Sequence, residues 1–434
     1  MRAYDIIYKK REGKELSAGE IDFLIKGYTT GEIPDYQLSA WAMAVFFQGM
    51  SISETTHLTR AMVESGERMD LSPVDGIKVD KHSSGGVGDK TTLVLAPLVS
   101  ATGVPVAKLS GRGLGHTGGT IDKLESIPGF KTDLKLDKFI KNVKEIGLAV
   151  AGQTANLTPA DKKLYALRDV TATVDSIPLI ASSIMSKKIA GGAEGIVLDV
   201  KTGDGAFMKE IDKTRKLAAM MVEIGRELNR KTTAVITGMA QPLGRSVGNA
   251  LEVKEAIMAL KDEGPEDLKE LCLTLGANML VIAEKAKTFR EGKEILEGMI
   301  TSGRALKQFR RFIEAQGGDE RVIDNPDLLP GAEYIYEVKA EKSGYIKNIK
   351  TRKLGLLAAE MGAGRTKKGD RIDHAVGIVL RDKIGNRIEK GHTLAAVHLN
   401  NKKLKDSIIK GLQDCFAVSE EKVKEPKLII ETIS

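Results

Sequence analysis

Apolar residues recur at helical spacing through residues 1–67, and this pattern predicts a small bundle of three or four short helices. Ser17 and Glu20 have the spacing of a capping box, in which each side chain accepts a hydrogen bond from the other residue's backbone amide at a helix start. Further helices are expected over residues 36–48 and 53–65.

Beyond Ser72 the pattern changes, because short apolar runs alternate with helical stretches, as in an α/β domain with a mostly parallel sheet. Residues 158–190 interrupt this alternation with a second helical region, in which Thr158 is expected to cap a helix that begins at Pro159. The expected elements are strands at 74–79, 104–109, 197–200 and 233–237, and helices at 91–101, 139–146 and 209–228.

The last part of the chain has a third character, with short strand-like runs at 344–346, 377–380 and 394–397. The turn that begins at Gly391 resembles that of the biotinyl and lipoyl carrier fold. The lysine motif that those carriers modify is absent, so we expect a structural α+β domain that resembles a barrel-sandwich hybrid.

The predicted fold class is therefore α/β, with a small all-α domain, a larger α/β domain with a mostly parallel central sheet, and a C-terminal α+β domain. We expect the all-α domain to comprise residues 1–67, with 158–190 returning to it. The α/β domain is expected at 68–157 and 191–335, and the C-terminal domain at 340–434.

Composition narrows the classes of function. Aromatic residues make up 4% of the chain, too few for the stacking platforms of proteins that bind single-stranded nucleic acid. No run of about 18 apolar residues is present, and Cys272 and Cys415 lie far apart outside any CxxC pattern. We expect a cytoplasmic protein that binds neither membrane nor nucleic acid. The net charge of +7 indicates either an anionic ligand or a solvated surface rich in lysine and glutamate.

The first glycine-rich segment, residues 80–92, follows a predicted strand and opens a predicted helix. Its glycines let the backbone turn tightly and direct N–H groups at an anion, and the helix start adds a partial positive charge. Lys81 supplies a full charge, while Ser83 and Thr92 supply hydroxyl donors. A nucleoside triphosphate loop has glycine directly before its lysine, whereas Asp89 takes that place here.

The second glycine-rich segment, residues 108–125, also follows a predicted strand and combines glycines and hydroxyl groups with basic side chains. It does not match the dinucleotide-binding pattern, because the third glycine after Gly111 and Gly113 has the wrong spacing. Ligands of parallel sheets gather beyond the carboxyl ends of the strands. Two such segments after two strands therefore predict one shared anion pocket.

A third set of residues consists of Arg168, Ser183 and Lys187. Ser183 and Lys187 are four positions apart, so they share a face if residues 180–188 are helical.

Within the two glycine-rich segments, the motifs Lys81–Asp89 and Ser110–Glu125 are together similar to those of the thymidine and pyrimidine-nucleoside phosphorylases. The resemblance extends over essentially the whole chain. It implies an α-helical domain, a larger α/β domain, a cleft between them that closes on the substrates, and a homodimer formed through the α domain. The implied reaction is the reversible attack of inorganic phosphate on a pyrimidine nucleoside, which gives a pentose 1-phosphate and the free base.

The resemblance also assigns residues to the two substrates. The phosphate ligands that it implies are Lys81, Ser83, Thr92, Lys108, Ser110 and Thr120. The pyrimidine nucleoside is expected to contact His82, Lys108, Arg168, Ser183 and Lys187, of which His82, Arg168 and Lys187 stabilise the departing base. The protonation state of His82 is left open.

Lys108 bears on the choice of nucleoside. Thymidine-specific relatives tend to carry methionine there, whereas the broader pyrimidine enzymes carry lysine, which can donate to a ribose 2′-hydroxyl. We therefore expect uridine to be accepted beside thymidine and deoxyuridine. The alternatives are a thymidine-specific phosphorylase, a phosphoribosyltransferase of the same fold, and a nucleic-acid-binding module.

Some relatives bind a potassium ion, and the resemblance places such a site at Gly88, Leu243, Ser246 and Glu255. The relatives have a threonine two residues after the glycine, where this chain has Lys90. Either the Lys90 ammonium replaces the ion beside Glu255, or Lys90 points outward and the other oxygens keep the ion. We expect the ion to be kept.

Overall fold

The computed structural model describes residues 1–113, 115–152, 156–365 and 369–434, so Leu114 of the second glycine-rich segment lies outside the described residues. The N-terminal bundle confirms the expected helices and the capping box of Ser17 and Glu20. Its helices are α1 Ala3–Arg11, α2 Ala18–Thr30, α3 Asp35–Gln48 and α4 Ile52–Glu64.

The middle of the chain alternates strands with helices, as predicted. The strands are β1 Val79–Ser83, β2 Val106–Ser110, β3 Leu148–Gly152, β4 Gly195–Thr202 and β5 Lys231–Gly238. The helices are α5 Thr91–Ser100, α6 Thr120–Leu124, α7 Leu136–Ile146, α8 Pro159–Val170, α9 Ile177–Ala190, α10 Ile211–Glu227, α11 Asn249–Leu260, α12 Glu266–Ile282, α13 Phe289–Thr301 and α14 Arg304–Ala315.

The last part of the chain carries antiparallel sheets, in agreement with the expected α+β character. Its strands are β7 Tyr334–Lys339, β8 Gly344–Ile349, β9 Gly377–Leu380, β10 Arg387–Ile388, β11 Thr393–Leu399, β12 Phe416–Ser419 and β13 Ile429–Ile433, and its helices are α15 Thr351–Ala358 and α16 Lys405–Gln413. A short strand, β6 Ser246–Val247, comes from the middle of the chain. One sheet has the order β10-β8-β12 and another β6-β9-β11-β7, so β6 reaches it from the middle of the chain.

The central sheet has the strand order β13-β5-β4-β1-β2-β3. The pairs from β5 to β3 are parallel, which confirms the mostly parallel sheet. The sequence did not predict β13, which returns from the end of the chain and pairs antiparallel with β5. Because β1 lies between β4 and β2, the carboxyl ends of these three strands meet at one edge of the sheet.

The strand predicted at 74–79 is wrong, because β1 begins at Val79 and continues through Lys81 and His82 to Ser83. The sequence favoured a loop here because these residues are polar. The ladder with β4 stabilises the extended backbone, with Val79 opposite Gly195 and Ser83 opposite Asp199. The polar side chains of the first glycine-rich segment therefore begin inside the sheet.

Helix α8 begins at Pro159 as predicted, but the expected cap is wrong because the Thr158 side chain makes no capping hydrogen bond. The hydroxyl of Ser65, at the end of α4, accepts from the backbone N–H of Ala160 instead (3.2 Å). This contact joins the N-terminal bundle to α8. Ala160, Leu164 and Leu179 are buried in the same hydrophobic cluster as the core of α1–α4.

Gln316 completes the open edge of the central sheet at β3. Its side-chain oxygen accepts from the N–H of Val150 (3.0 Å), and its side-chain nitrogen donates to the carbonyl oxygens of Val150 (2.9 Å) and Lys131 (2.7 Å). The side chain is 1% exposed. It thus takes the place of a neighbouring strand.

Among the described residues, no helix combines the length and apolar composition needed to cross a membrane.

Replacing Gln316 with leucine should destabilise the fold, because the buried N–H and carbonyl of Val150 lose their partners at a cost of about 1–3 kcal/mol for each group. Urea unfolding monitored by circular dichroism measures this loss. Gln413→Leu is the matched control, since Gln413 makes a single 3.3 Å hydrogen bond to the Lys339 carbonyl near the surface. Equal midpoints for the two variants would contradict this role of Gln316.

Candidate functional site

The predicted site residues lie around one cavity of about 530 Å³ at the carboxyl ends of β1 and β2. Residues of helices α8 and α9 line it as well. It is lined by all ten residues assigned to phosphate or nucleoside, namely Lys81, His82, Ser83, Thr92, Lys108, Ser110, Thr120, Arg168, Ser183 and Lys187.

The first glycine-rich loop is held by hydrogen bonds to its own side chains and to β4. Ser83 donates its hydroxyl hydrogen to the Asp89 carboxylate and accepts from the N–H of Gly85 (3.2 Å). The Ser84 hydroxyl accepts from the N–H of Lys201 (2.8 Å). Asp89 also accepts from the Thr91 hydroxyl (2.6 Å), which ties the loop to the first turn of α5. The loop is therefore shaped before any ligand binds.

Lys81 lies under this loop between two carboxylates. Its ammonium is 3.7 Å from the Asp89 carboxylate and 3.5 Å from that of Asp199. Lys201 lies 2.8 Å from the same Asp199, and Lys123 donates to the Asp89 carbonyl oxygen (2.6 Å). Burial alone would raise the pKa of Asp89, but Lys81, Lys201 and Lys123 hold it well below the usual range. The long Lys81 distances leave its N–H donors available for an anion.

Lys108 and Lys188 share the carboxylate of Asp80. Lys188 is 2.8 Å from Asp80 and Lys108 is 3.4 Å from it, while the Lys108 ammonium donates to the Lys81 carbonyl oxygen (2.6 Å). Burial, together with Lys188 and Lys81, lowers the pKa of Lys108 to about 7 although Asp80 opposes the shift. Burial and the neighbouring ammonium groups therefore oppose the positive charge of Lys108 as long as no anion is bound.

His82 faces the cavity from β1 among these lysines. Burial lowers its pKa well below the ordinary value, and Lys188, Lys108, Lys187 and Lys81 lower it further. In the protein without ligands, burial and these four lysines thus favour the neutral imidazole over the charged form. A neutral ring offers one N–H donor and one acceptor.

The other wall of the cavity comes from α8 and α9. Arg168 is 1% exposed, and its guanidinium donates to the carbonyl oxygens of Thr173 (3.2 Å), Val174 (2.6 Å) and Leu179 (3.1 Å). A guanidinium has five N–H donors, so it keeps further donors for the cavity.

Ser183 and Lys187 lie on one face of α9, as their spacing predicted. Lys187 donates to the Ser183 hydroxyl (2.8 Å) and to the Asp161 carboxylate (2.5 Å). Asp161 is on α8, so this ion pair fixes the two helices to each other. Sequence reasoning missed Asp161, although it stands in the first turn of a helix that was predicted to start at Pro159.

The second glycine-rich loop is closed by Asp122 and Glu125. Asp122 accepts from the N–H of Gly113 (2.7 Å) and pairs with Arg112 (3.1 Å), while Arg365 of the C-terminal domain lies 2.9 Å from it. The loop presents Ser110 and Thr120 to the cavity. These two residues line the same cavity as the first loop, as a shared anion pocket requires.

Further cavity residues were missed by the sequence reasoning. Lys188 adjoins the predicted Lys187, and Tyr165 and Asp169 flank Arg168 on α8. Phe207 lies in the segment after β4, lines the cavity and is 47% exposed. A helical projection of α8 indicates the two α8 residues, but an isolated Phe207 carries no sequence signal.

The expected potassium site does not fit the structure. Lys90 does not point outward: its ammonium donates to the carbonyl oxygens of Leu243 (2.7 Å) and Ser246 (2.9 Å) and to the Glu255 carboxylate (2.6 Å). A Cβ on Gly88 would lie 3.4 Å from this nitrogen. The expectation that Gly88, Leu243, Ser246 and Glu255 keep the ion is therefore wrong for this arrangement, because a fixed positive charge stands among their oxygens.

Comparisons with protein families agree with the architecture. Residues 75–306 match the model of the glycosyl transferase family a/b domain, and residues 4–66 match the helical bundle domain of the same family. Residues 345–419 match the pyrimidine nucleoside phosphorylase C-terminal domain. The fold and site thus define a glycosyltransferase-type enzyme.

Full-length relatives narrow this class. The chain is 57% identical over 434 residues to the pyrimidine-nucleoside phosphorylase of Geobacillus stearothermophilus, with 100% of both chains covered. It is 58% identical over 429 residues to that of Bacillus subtilis, with 99% of both covered. The chain therefore belongs to the family of pyrimidine-nucleoside phosphorylases, which confirms the resemblance found in the glycine-rich segments.

A solved structure supports the fold alone. Anthranilate phosphoribosyltransferase (TrpD) from Thermus thermophilus superposes with a TM-score of 0.59 at 18% identity, covering 73% of this chain and 99% of that chain.

We expect His82 to make the fold acid-sensitive. The pKa of His82 lies below the value of about 6.5 for an unfolded histidine, so below that pH only the unfolded chain takes up this proton and the folded state loses stability. In phosphate-free buffer, the melting temperature should fall more between about pH 8 and pH 5.5 in the wild type than in His82→Gln. An equal fall in both proteins would contradict a neutral His82.

Proposed function

We propose that the enzyme catalyses the reversible phosphorolysis of pyrimidine nucleosides, with uridine, thymidine and deoxyuridine as substrates. Phosphate attacks the anomeric carbon of the sugar, the bond to the base breaks, and a ribose or deoxyribose 1-phosphate and the free base are released. The observation that supports this proposal most is that one cavity unites the lysine-rich ends of β1 and β2 with Arg168 and Lys187 of the facing helices.

The phosphate is proposed to lie between the two glycine-rich loops, on Lys81, Thr92, Lys108, Ser110 and Thr120. Phosphate is doubly negative near neutral pH, and charge-assisted hydrogen bonds are the strong kind that can replace its water shell. A bound dianion would also oppose the effect of burial on the pKa of Lys108 and raise it.

Ser83 is the phosphate ligand that must first change partners, because its hydroxyl hydrogen is already donated to Asp89. Rotation of this hydroxyl toward phosphate would leave Asp89 with Thr91 and the Lys81 charge. The N–H of Gly85 now donates to the Ser83 hydroxyl, and after this rotation it would be free to donate to the anion as well.

The nucleoside is proposed to lie against His82, Arg168, Ser183 and Lys187, with its sugar toward Lys108. As the glycosidic bond breaks, negative charge develops on the pyrimidine, and fixed donors in a dry site stabilise such charge by about 3 kcal/mol each. A neutral His82 donates one N–H to a pyrimidine oxygen. Arg168 and Lys187 carry the positive charge, and Asp161 orients Lys187.

Several properties of the whole molecule belong to the same proposal. Phosphate and base lie on different domains, bounded as the sequence predicts, so that closure of the cleft expels water that would compete as nucleophile. We propose a cytoplasmic homodimer formed through the α domain. The exposed aromatic residues of α1 and α3, Tyr4, Tyr8, Tyr36 and Phe47, support this interface.

The activity is tested by incubating the protein with uridine or thymidine, with and without phosphate, and following release of the free base. We expect release only with phosphate, and a fall of roughly 10²- to 10³-fold in kcat/KM for Lys81→Ala and for Arg168→Ala. Lys141→Ala, in an exposed ion pair with Glu145, is the control and should match the wild type. Near-wild-type turnover of either site variant would contradict the roles.

The same assay separates the alternatives. A phosphoribosyltransferase would instead consume a pyrophosphorylated sugar in the presence of magnesium, and a nucleic-acid-binding module would release no base at all.

Lys108→Met should change the choice of sugar. If the ammonium donates to the ribose 2′-hydroxyl, its loss should lower kcat/KM for uridine relative to thymidine by about tenfold to a hundredfold. The measurement is the ratio of the two constants, because any effect on phosphate cancels in it. An unchanged ratio would contradict this role, and a wild type that rejects uridine would indicate a thymidine-specific enzyme.

A further inference from the structure

Lys90 is buried at the start of α5, and its ammonium is fully partnered. Its three N–H donors meet three acceptors, the carbonyl oxygens of Leu243 and Ser246 at 2.7 and 2.9 Å and the Glu255 carboxylate at 2.6 Å. The side chain is completely buried. Burial alone would lower the pKa of Lys90, but Glu255 and Glu252 outweigh it and raise this pKa. A permanent positive charge therefore stands in a closed oxygen cage.

The cage is built tightly around this one charge. Glu255 also accepts from the backbone N–H groups of Arg245 (2.9 Å) and Ser246 (3.2 Å), so the carboxylate and the loop 243–246 hold each other. A Cβ at Gly244 would lie 2.3 Å from a Glu255 oxygen and 2.8 Å from the Lys90 nitrogen. These contacts leave no space for an ion beside the ammonium.

The cage is connected to the proposed phosphate site through the backbone. Lys90 directly follows Asp89, which accepts from Ser83, and it precedes the α5 turn that carries Thr92. Its N–H donates to the Gly88 carbonyl oxygen (2.9 Å), which closes the loop on itself. The Lys90 ammonium thus holds the end of the first glycine-rich loop against the segment 243–246 and α11.

We propose that Lys90 is a tethered substitute for a monovalent cation, and that it positions the phosphate loop so that the protein needs no such ion. A free ion has to be captured from solution each time the site is filled. A lysine side chain is covalently attached to the protein and therefore stays at the site. Lys90 is a positioning residue, since it acts on phosphate through the loop. The part of the test that uses activity rests on the proposed function, and the part that uses stability does not.

The wild type is tested first. Protein dialysed against choline salts is assayed for kcat, for KM of phosphate and for melting temperature as choline chloride is replaced by potassium chloride at constant ionic strength. We expect all three quantities to stay unchanged. A saturable rise in activity or melting temperature with potassium would overturn the proposal.

Lys90→Thr then restores the oxygen that related chains carry at this position. We expect the KM for phosphate in choline to rise about tenfold or more while kcat changes less, since a charge-assisted contact is lost from the loop. Potassium or ammonium should reverse this rise and raise the melting temperature in a saturable manner. A folded variant that matches the wild type in choline would contradict the proposal.

Two controls complete the design. Lys90→Met removes the charge but fills the cage, so it should show the same loss without recovery by potassium, and recovery would contradict the proposal. Lys383 holds the same loop from its other side through Asp267 and the Pro242 carbonyl oxygen. Lys383→Thr should lower stability without creating a response to potassium.

The melting temperatures allow the proposed role of Lys90 to be tested separately from the proposed function. If the protein does not cleave uridine or thymidine, the proposed function fails while the stability comparison still decides the role of Lys90. If Lys90→Thr does not fold in either salt, the wild-type titration alone decides it.

Discussion

The structure depends on the requirement that buried ammonium groups find oxygen partners. Lysine side chains crowd the carboxyl ends of β1, β2 and β4, where they are buried and an unpaired charge is costly. Each is held by a carboxylate or by backbone carbonyl oxygens. The buried members of this set are Lys81, Lys90, Lys108, Lys123, Lys188 and Lys201, with Asp80, Asp89, Asp199, Glu252 and Glu255 as their partners.

The balance within this cluster divides it into two functional parts. Lys90 and Lys123 have short contacts to Glu255 and Glu252 (2.6 and 2.8 Å), so these carboxylates neutralise their charges within the fold. Lys81 and Lys108 stand 3.4 Å or more from every carboxylate that they face. Both line the cavity, beside Lys187 and Lys188, and the proposed binding of a dianion rests on their incomplete pairing.

The order of the strands in the central sheet determines where this positive charge lies. Since β1 lies between β4 and β2, its Lys81 is flanked by Asp199 of β4, and the loops after β1 and β2 both line the cavity. The other wall of the cavity comes separately from α8 and α9. Two parts of different origin therefore meet at one sheet edge, as the proposed binding of phosphate on the sheet and of the nucleoside on the helices requires.

Much of this could be predicted from the sequence because the signals are local. The capping box of Ser17 and Glu20, the i, i+4 pair of Ser183 and Lys187, and the alternation of strands with helices all follow from spacing along the chain. The ten residues that line the cavity were assigned from the resemblance to the family, whose motifs are long.

The remaining features depend on contacts between distant segments. Ser65 caps α8, Gln316 completes the edge of β3, and β13 returns from the C-terminus to β5, none of which local spacing reveals. β1 was placed too early because its polar residues are stabilised by the ladder with β4. The direction of Lys90 was misjudged for the same reason, since Leu243 and Glu255 are more than 150 positions away.

A crystal structure of the protein with bound phosphate tests the central claim most directly. We expect the phosphate to lie between the two glycine-rich loops, with one oxygen on the Lys81 ammonium and another on the Ser110 hydroxyl. Phosphate bound elsewhere, with Lys81 still facing only Asp89 and Asp199, would contradict the account.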